Sequence, residues 1–185
     1  MLMRTHGDGA LAALWFAAGP VRLMGNLDVP AGARGIVLCS MGKSDHTDTS
    51  STEWIEELRA HTLASLCFDL LTSCEKSREQ RSTGNLFIDI PLLRTRWLAA
   101  TRWALAQMPL RSLPLGYLAG NGSAAAALSA ATRAPAVRAL VCADAVSGVL
   151  DADLKTVRAP TLILATRDDR GSAAHRAAEW FERHL

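Results

Sequence analysis

Asn121, Gly122 and Ser123 lie in a turn made only of small or compact residues, Ala119-Gly120-Asn121-Gly122-Ser123. The turn joins an apolar run, "SLPLGYLAG", to an Ala-rich one, "NGSAAAALSAATRA". A strand, a tight turn and a helix of this make-up present an attacking serine at the apex, where small neighbours let strand and helix approach closely. Asn tolerates a positive φ better than most residues that carry a side chain, so Asn121 suits the apex backbone. Its neutral carboxamide is a poor nucleophile with no easy route to activation. Ser123, two positions past the apex, is the surviving hydroxyl; its ordinary role there would be to satisfy free N–H groups at a helix start. As a nucleophile it would need a base, and the candidates are His175, seven residues after Asp168, and His46, beside Asp45 in a polar loop. The N–H of Gly122 and the positive end of the helix that follows suit an anion or a carbonyl, whether or not anything attacks it.

Other chemistry is weakly signalled. "MGKS" ends like a phosphate-binding loop, G-x-x-x-x-G-K-[ST], but Val37 stands where the first glycine belongs. Cys39, Cys67, Cys74 and Cys142 form no C-x-x-C pair, so neither a zinc site nor a redox dithiol is indicated. Three of them sit in apolar runs and read as small core residues in a reducing, cytoplasmic compartment. No cofactor signature is present, and Tyr117 and the tryptophans fit packing better than cofactor stacking. Twenty Lys and Arg against 18 Asp and Glu, scattered along the chain, give no basic stripe for nucleic acid.

These residues need a scaffold, and the pattern supplies one. At 49% hydrophobic over 185 residues, the chain reads as one domain, 1–185. "GIVLCSMG", "ASLCFDLL", "SLPLGYLAG", "VRALVCAD" and "PTLILATRDD" are short apolar runs of the kind buried on both faces. Between them fall helical segments: one from Thr52, one over 89–108, the Ala-rich stretch, and "SAAHRAAEWFERHL" at the end. "LWFAAGPVRL" reads as a hairpin rather than a signal segment, and "TSCEKSREQRSTGN" as a long polar loop. No apolar run is long enough to span a membrane. Alternating strands and helices predict a mostly parallel sheet of six to seven strands with helices on both faces, its ligand beyond the carboxyl ends of the strands.

In order along the chain, "VPAGARGIVL", "FDLLT", "DIPLLRTRWLAATRWALAQ", "LPLGYLAGNGSAAAAL", "VRAPTLIL" and "AAEWFERHL" resemble the dienelactone-hydrolase-like branch of the α/β-hydrolases. The resemblance implies a serine at the elbow apex, an aspartate after a late strand, a histidine on a loop near the C-terminus, and an His-Gly pair that helps form the oxyanion hole. Position by position, the apex falls on Asn121, the His-Gly pair on Met41-Gly42, and the late aspartate on Asp168. The loop histidine has no match, because "RGSAAHRAAEWF" runs almost directly from the Asp region to the final helix, without the family's last strand. The expectation is therefore a non-hydrolytic protein that binds a small ligand at Met41, Gly42, Asn121, Gly122 and His46. Without that last strand, 161–166 becomes an apolar edge, to be covered either by the C-terminal helix or by a second copy in a homodimer. The alternatives are an esterase or thioesterase using Ser123, Asp168 and His175, and a non-hydrolytic enzyme in the same pocket.

Overall fold

The computed structural model describes residues 4–6, 9–40, 49–81, 89–120, 122–144, 154–165 and 170–185. The strands are β1 (Arg4–His6), β2 (Gly9–Ala18), β3 (Val21–Pro30), β4 (Gly35–Ser40), β5 (Leu63–Phe68), β6 (Leu115–Gly120), β7 (Val137–Ala143) and β8 (Thr161–Leu164). The helices are α1 (Thr49–Ala60), α2 (Ser73–Arg81), α3 (Ile90–Ala106), α4 (Ala124–Ala131) and α5 (Arg170–His184).

All eight strands join one sheet, ordered β1-β2-β3-β5-β4-β6-β7-β8. From β5 to β8 the strands run parallel, while β1, β2 and β3 pair antiparallel at one side. The predicted hairpin is β2–β3, in full register from Ala18↔Val21 to Gly9↔Pro30.

The apolar runs stay unbroken because helices cover both faces. In β4, Ile36 and Leu38 face the core beneath α3 and α4, and Val37 and Cys39 the core beneath α1 and α5. In β6, Tyr117 and Ala119 face the first core and Leu118 the second. The first core stacks Trp97 against Tyr117 at 4.6 Å between ring centroids and against Phe68 at 5.1 Å. Trp15 stands 54% exposed on β2, outside both cores.

The segment read as a long polar loop contains α2. Its sequence, "SCEKSREQR", has no apolar stripe to signal a helix. A reciprocal cap starts it instead: Thr72 N–H donates to Glu75 Oε2 at 2.8 Å, and Glu75 N–H donates back to Thr72 Oγ1 at 3.3 Å. Lys76 then meets Asp69 at 2.7 Å, and buried Arg96 of α3 meets Glu75 at 2.6 Å. Local charge chemistry, rather than burial, forms this helix.

Candidate functional site

The elbow is assembled by β6 and α4. All six residues of β6 are buried between β4 and β7, and seven of the eight in α4 are buried. Alanines at Ala124 to Ala127 leave room for α4 to lie close on α3 and on the sheet. Between strand and helix, Gly122 takes φ +85°, a left-handed conformation that only glycine reaches without strain. Ser123 N–H donates to Gly120 O at 3.0 Å, closing the turn.

The Ser123 hydroxyl points inward. It is fully buried, and Oγ lies 2.8 Å from Ser40 O, at the end of β4, and 2.8 Å from Gly120 O. With one proton it donates to these carbonyls, so it ties the tip of β4 to the tip of β6. It makes no cap hydrogen bond to α4, although the sequence placed it at a cap. Its hydrogen bonds run to the two strand-end carbonyls instead.

His175 lies on α5, against α1. Its Nδ1 is 3.1 Å from Glu57 Oε2 and its Nε2 is 3.7 Å from Glu179 Oε1. The bonds of Ser123 and of His175 thus run to separate partners, and the structure does not bring the two together. Met41, Gly42, His46, Asn121 and Asp168 lie outside the described residues.

Other nucleophilic groups near the carboxyl ends of the strands are held in their neutral forms. Burial pushes the Cys142 thiol up to about 12. Burial, then a hydrogen bond and charge interaction with Cys67, raises Cys39 well above the usual thiol range. Tyr117 is raised to about 12 by burial, partly offset by its bond with Thr101. A thiol or phenol so displaced supplies no anion near neutral pH.

The architecture matches solved structures nearly end to end. A dienelactone hydrolase from Anabaena variabilis aligns over 96% of this chain and 99% of its own, with a TM-score of 0.81 and 26% identity. The chain has the α/β-hydrolase fold of the dienelactone-hydrolase type. Within this α/β-hydrolase-fold group, a dienelactone-hydrolase-like promiscuous phosphotriesterase from metagenomic libraries covers 96% of the chain and 99% of its own at TM-score 0.71 and 13% identity. The esterase domain of a Rhodothermus marinus protein covers 94% and 99% at TM-score 0.63 and 16% identity. In sequence, the chain is 36% identical over 155 residues to proteins from two strains of Mycobacterium tuberculosis, provisionally named phosphoribosyl transferases. The match takes in 83% of the chain and spans about a third, 34%, of those relatives. No family model matches the chain. Among the described residues, no helix is long and apolar enough to cross a membrane.

β2 to β8 make the mostly parallel sheet of this fold, with β1 added outside the hairpin. β6 is followed by α4, the strand-turn-helix order that the sequence predicts. Sequence reasoning missed Ser40, whose carbonyl receives the Ser123 proton. Nothing local marks it, because its role depends on β4 and β6 being neighbours across 83 residues of chain.

Proposed function

We propose that this chain is a non-hydrolytic α/β-hydrolase-fold protein that holds a small anionic or carbonyl-bearing ligand at the elbow. The observation that carries the reading is the state of Ser123. The hydroxyl nearest the apex is buried and spent on two main-chain carbonyls, while the apex itself is Asn121 in sequence. Attack by Ser123 would require breaking that tie and turning the side chain out of the core. The Gly122 N–H and the α4 N-terminus supply donors for a ligand oxygen without a nucleophile. The transferase name of the Mycobacterium relatives supports a phosphorylated ligand, and their greater length supports a role beside a catalytic unit elsewhere in such proteins. Four free cysteines support a reducing, cytoplasmic setting. The outer edge of β8, with Ile163 48% exposed, supports pairing with a second copy.

The hydrolase names of the structural relatives favour a second reading, an esterase or thioesterase. A fluorophosphonate probe separates the two. No labelling, and p-nitrophenyl acetate turnover equal to that of Ser123→Ala, is the expected result. Labelling lost in Ser123→Ala would overturn the binding reading. Asn121→Ser is expected to restore no turnover, since an added hydroxyl would still lack a base.

A further inference from the structure

The seam between α1 and α5 holds a cluster that the elbow does not use. Ligand atoms of Glu57, His61 and His175 lie within 4.8 Å of one another. Glu57, on the last turn of α1, and His61, just past its end, are four residues apart, joined by His61 N–H to Glu57 O at 3.1 Å, and so share one face. His175 and Glu179 repeat that spacing on α5. Trp54 and Leu58 of α1 share a core with Ala174, Ala177, Ala178 and Phe181 of α5, which fixes the two pairs opposite each other. The site lies toward the amino ends of β4 and β5, since only Thr62 separates His61 from β5 and Arg34 immediately precedes β4. The elbow is at the other end of the sheet.

His61 has a carboxylate partner of the kind that steadies a metal-bound histidine. Its Nδ1 lies 2.7 Å from Glu182 Oε2, and Glu182 Oε1 receives Arg34 at 2.6 Å. A histidine whose Nδ1–H donates to a carboxylate carries its free lone pair on Nε2, the arrangement that holds a ligating ring in place. Glu57 Oε2 and His175 Nδ1 are 3.1 Å apart. Tetrahedral zinc, with bonds of about 2.0–2.1 Å, sets its donors about 3.3 Å apart. A cation would take the place of the proton between those two atoms, with His61 closing from one side. Glu179 Oε1, 3.7 Å from His175 Nε2, sits at the other ring nitrogen, where it can accept the Nε2–H and hold the ring while Nδ1 faces the cation. Three carboxylates against Arg34 leave the seam negative whenever the histidines are neutral, the form in which they bind metal.

We propose that Glu57, His61 and His175 bind a divalent transition cation of the zinc class and clamp α1 to α5, with Glu179 positioning the His175 ring. Imidazole with carboxylate suits zinc and its cobalt and nickel analogues rather than magnesium or calcium. The spacing Glu-x3-His with His-x3-Glu was present in the sequence, but only the packing of α1 on α5 makes the two halves one site.

The test is titration of the intact chain with Zn²⁺ by calorimetry and with Co²⁺ by visible absorption. One equivalent is expected to bind, with cobalt bands of a tetrahedral N/O site and a rise in Tm on adding Zn²⁺. His175→Ala, at an exposed position that folding tolerates, is expected to weaken binding by about tenfold to a hundredfold and to abolish the Tm rise. Glu57→Gln is expected to do the same, and His184→Ala, outside the cluster, to change neither. Absence of stoichiometric binding, or binding unchanged in both His175→Ala and Glu57→Gln, would overturn the site. Neither result bears on the elbow, because Ser123→Ala leaves this seam intact.

Discussion

Ser123 and Glu75 are polar residues whose neighbours decide what they do. The Ser123 hydroxyl fastens β4 to β6, so Ser123→Ala removes a buried hydrogen bond worth about 1 kcal/mol, while both acceptor carbonyls keep their places at the strand ends. The expected outcome is a Tm lower by about 2–4 °C with ligand binding at the elbow retained; a loss of turnover instead would reveal a catalytic hydroxyl. Glu75 receives both terminal nitrogens of Arg96, at 2.7 and 2.6 Å. The Arg96 hydrogen bonds, aided by those from Thr72, hold its carboxyl down at about 2 against a desolvation cost. The folded value is below the unfolded one. The stabilisation is therefore complete above the ordinary carboxylate range and is lost as pH falls from about 4.5 toward 2. Arg96 is 3% exposed and Glu75 20% exposed, so Glu75→Gln is expected to cost about 3 kcal/mol, the low end for breaking a buried pair. In urea unfolding, the gap between wild type and Glu75→Gln should be wide at neutral pH and narrow toward pH 2. A gap that does not change with pH would refute the charge argument.

Among the elements, α5 and β6 depend on one close approach. A Cβ placed on Gly116 would lie 2.7 Å from Phe181 Cε1 and 2.8 Å from Cδ1. Phe181 is itself fully buried in the core beneath α1 and α5. Gly116→Ala must therefore push α5 off the sheet or force the ring from its well, an overpacking cost of about 1–3 kcal/mol. Phe181→Ala alone should cost about 3–5 kcal/mol through the cavity it leaves. Combined, the two are expected to cost less than their sum, since the added methyl enters the space the ring vacates. Strict additivity in denaturant unfolding would show that the contact is not what matters. The same scale explains α2. The capping pair Thr72-x-x-Glu75 stands in a segment with no apolar spacing, and Arg96, which anchors the helix, comes 21 residues after Glu75.

For the whole molecule, the sheet ends on β8, which pairs with β7 and with no other strand among the described residues. α5 packs against β8, and Ile163 stands 48% exposed on that strand. Under the proposed pairing of this edge with a second copy, light scattering should report a dimer for the wild type. Ile163→Lys, which places a charge where edges are usually protected, should report a monomer. A wild-type monomer at high concentration would reject the pairing.

The sequence by itself determined the order and type of most elements. Apolar runs such as "GIVLCS" and "LGYLAG" can satisfy their side chains only in a sheet covered on both faces, and the small residues at 119–123 permit only a tight strand-to-helix turn. That information is local, carried by neighbouring residues through burial and backbone sterics. Tertiary structure alone decided where the polar groups point. Whether Ser123 faces solvent or the Ser40 carbonyl, and whether Glu57 meets His175, depends on which strands and helices become neighbours. Those contacts join residues 83 and 118 positions apart, a separation at which no residue spacing carries a signal.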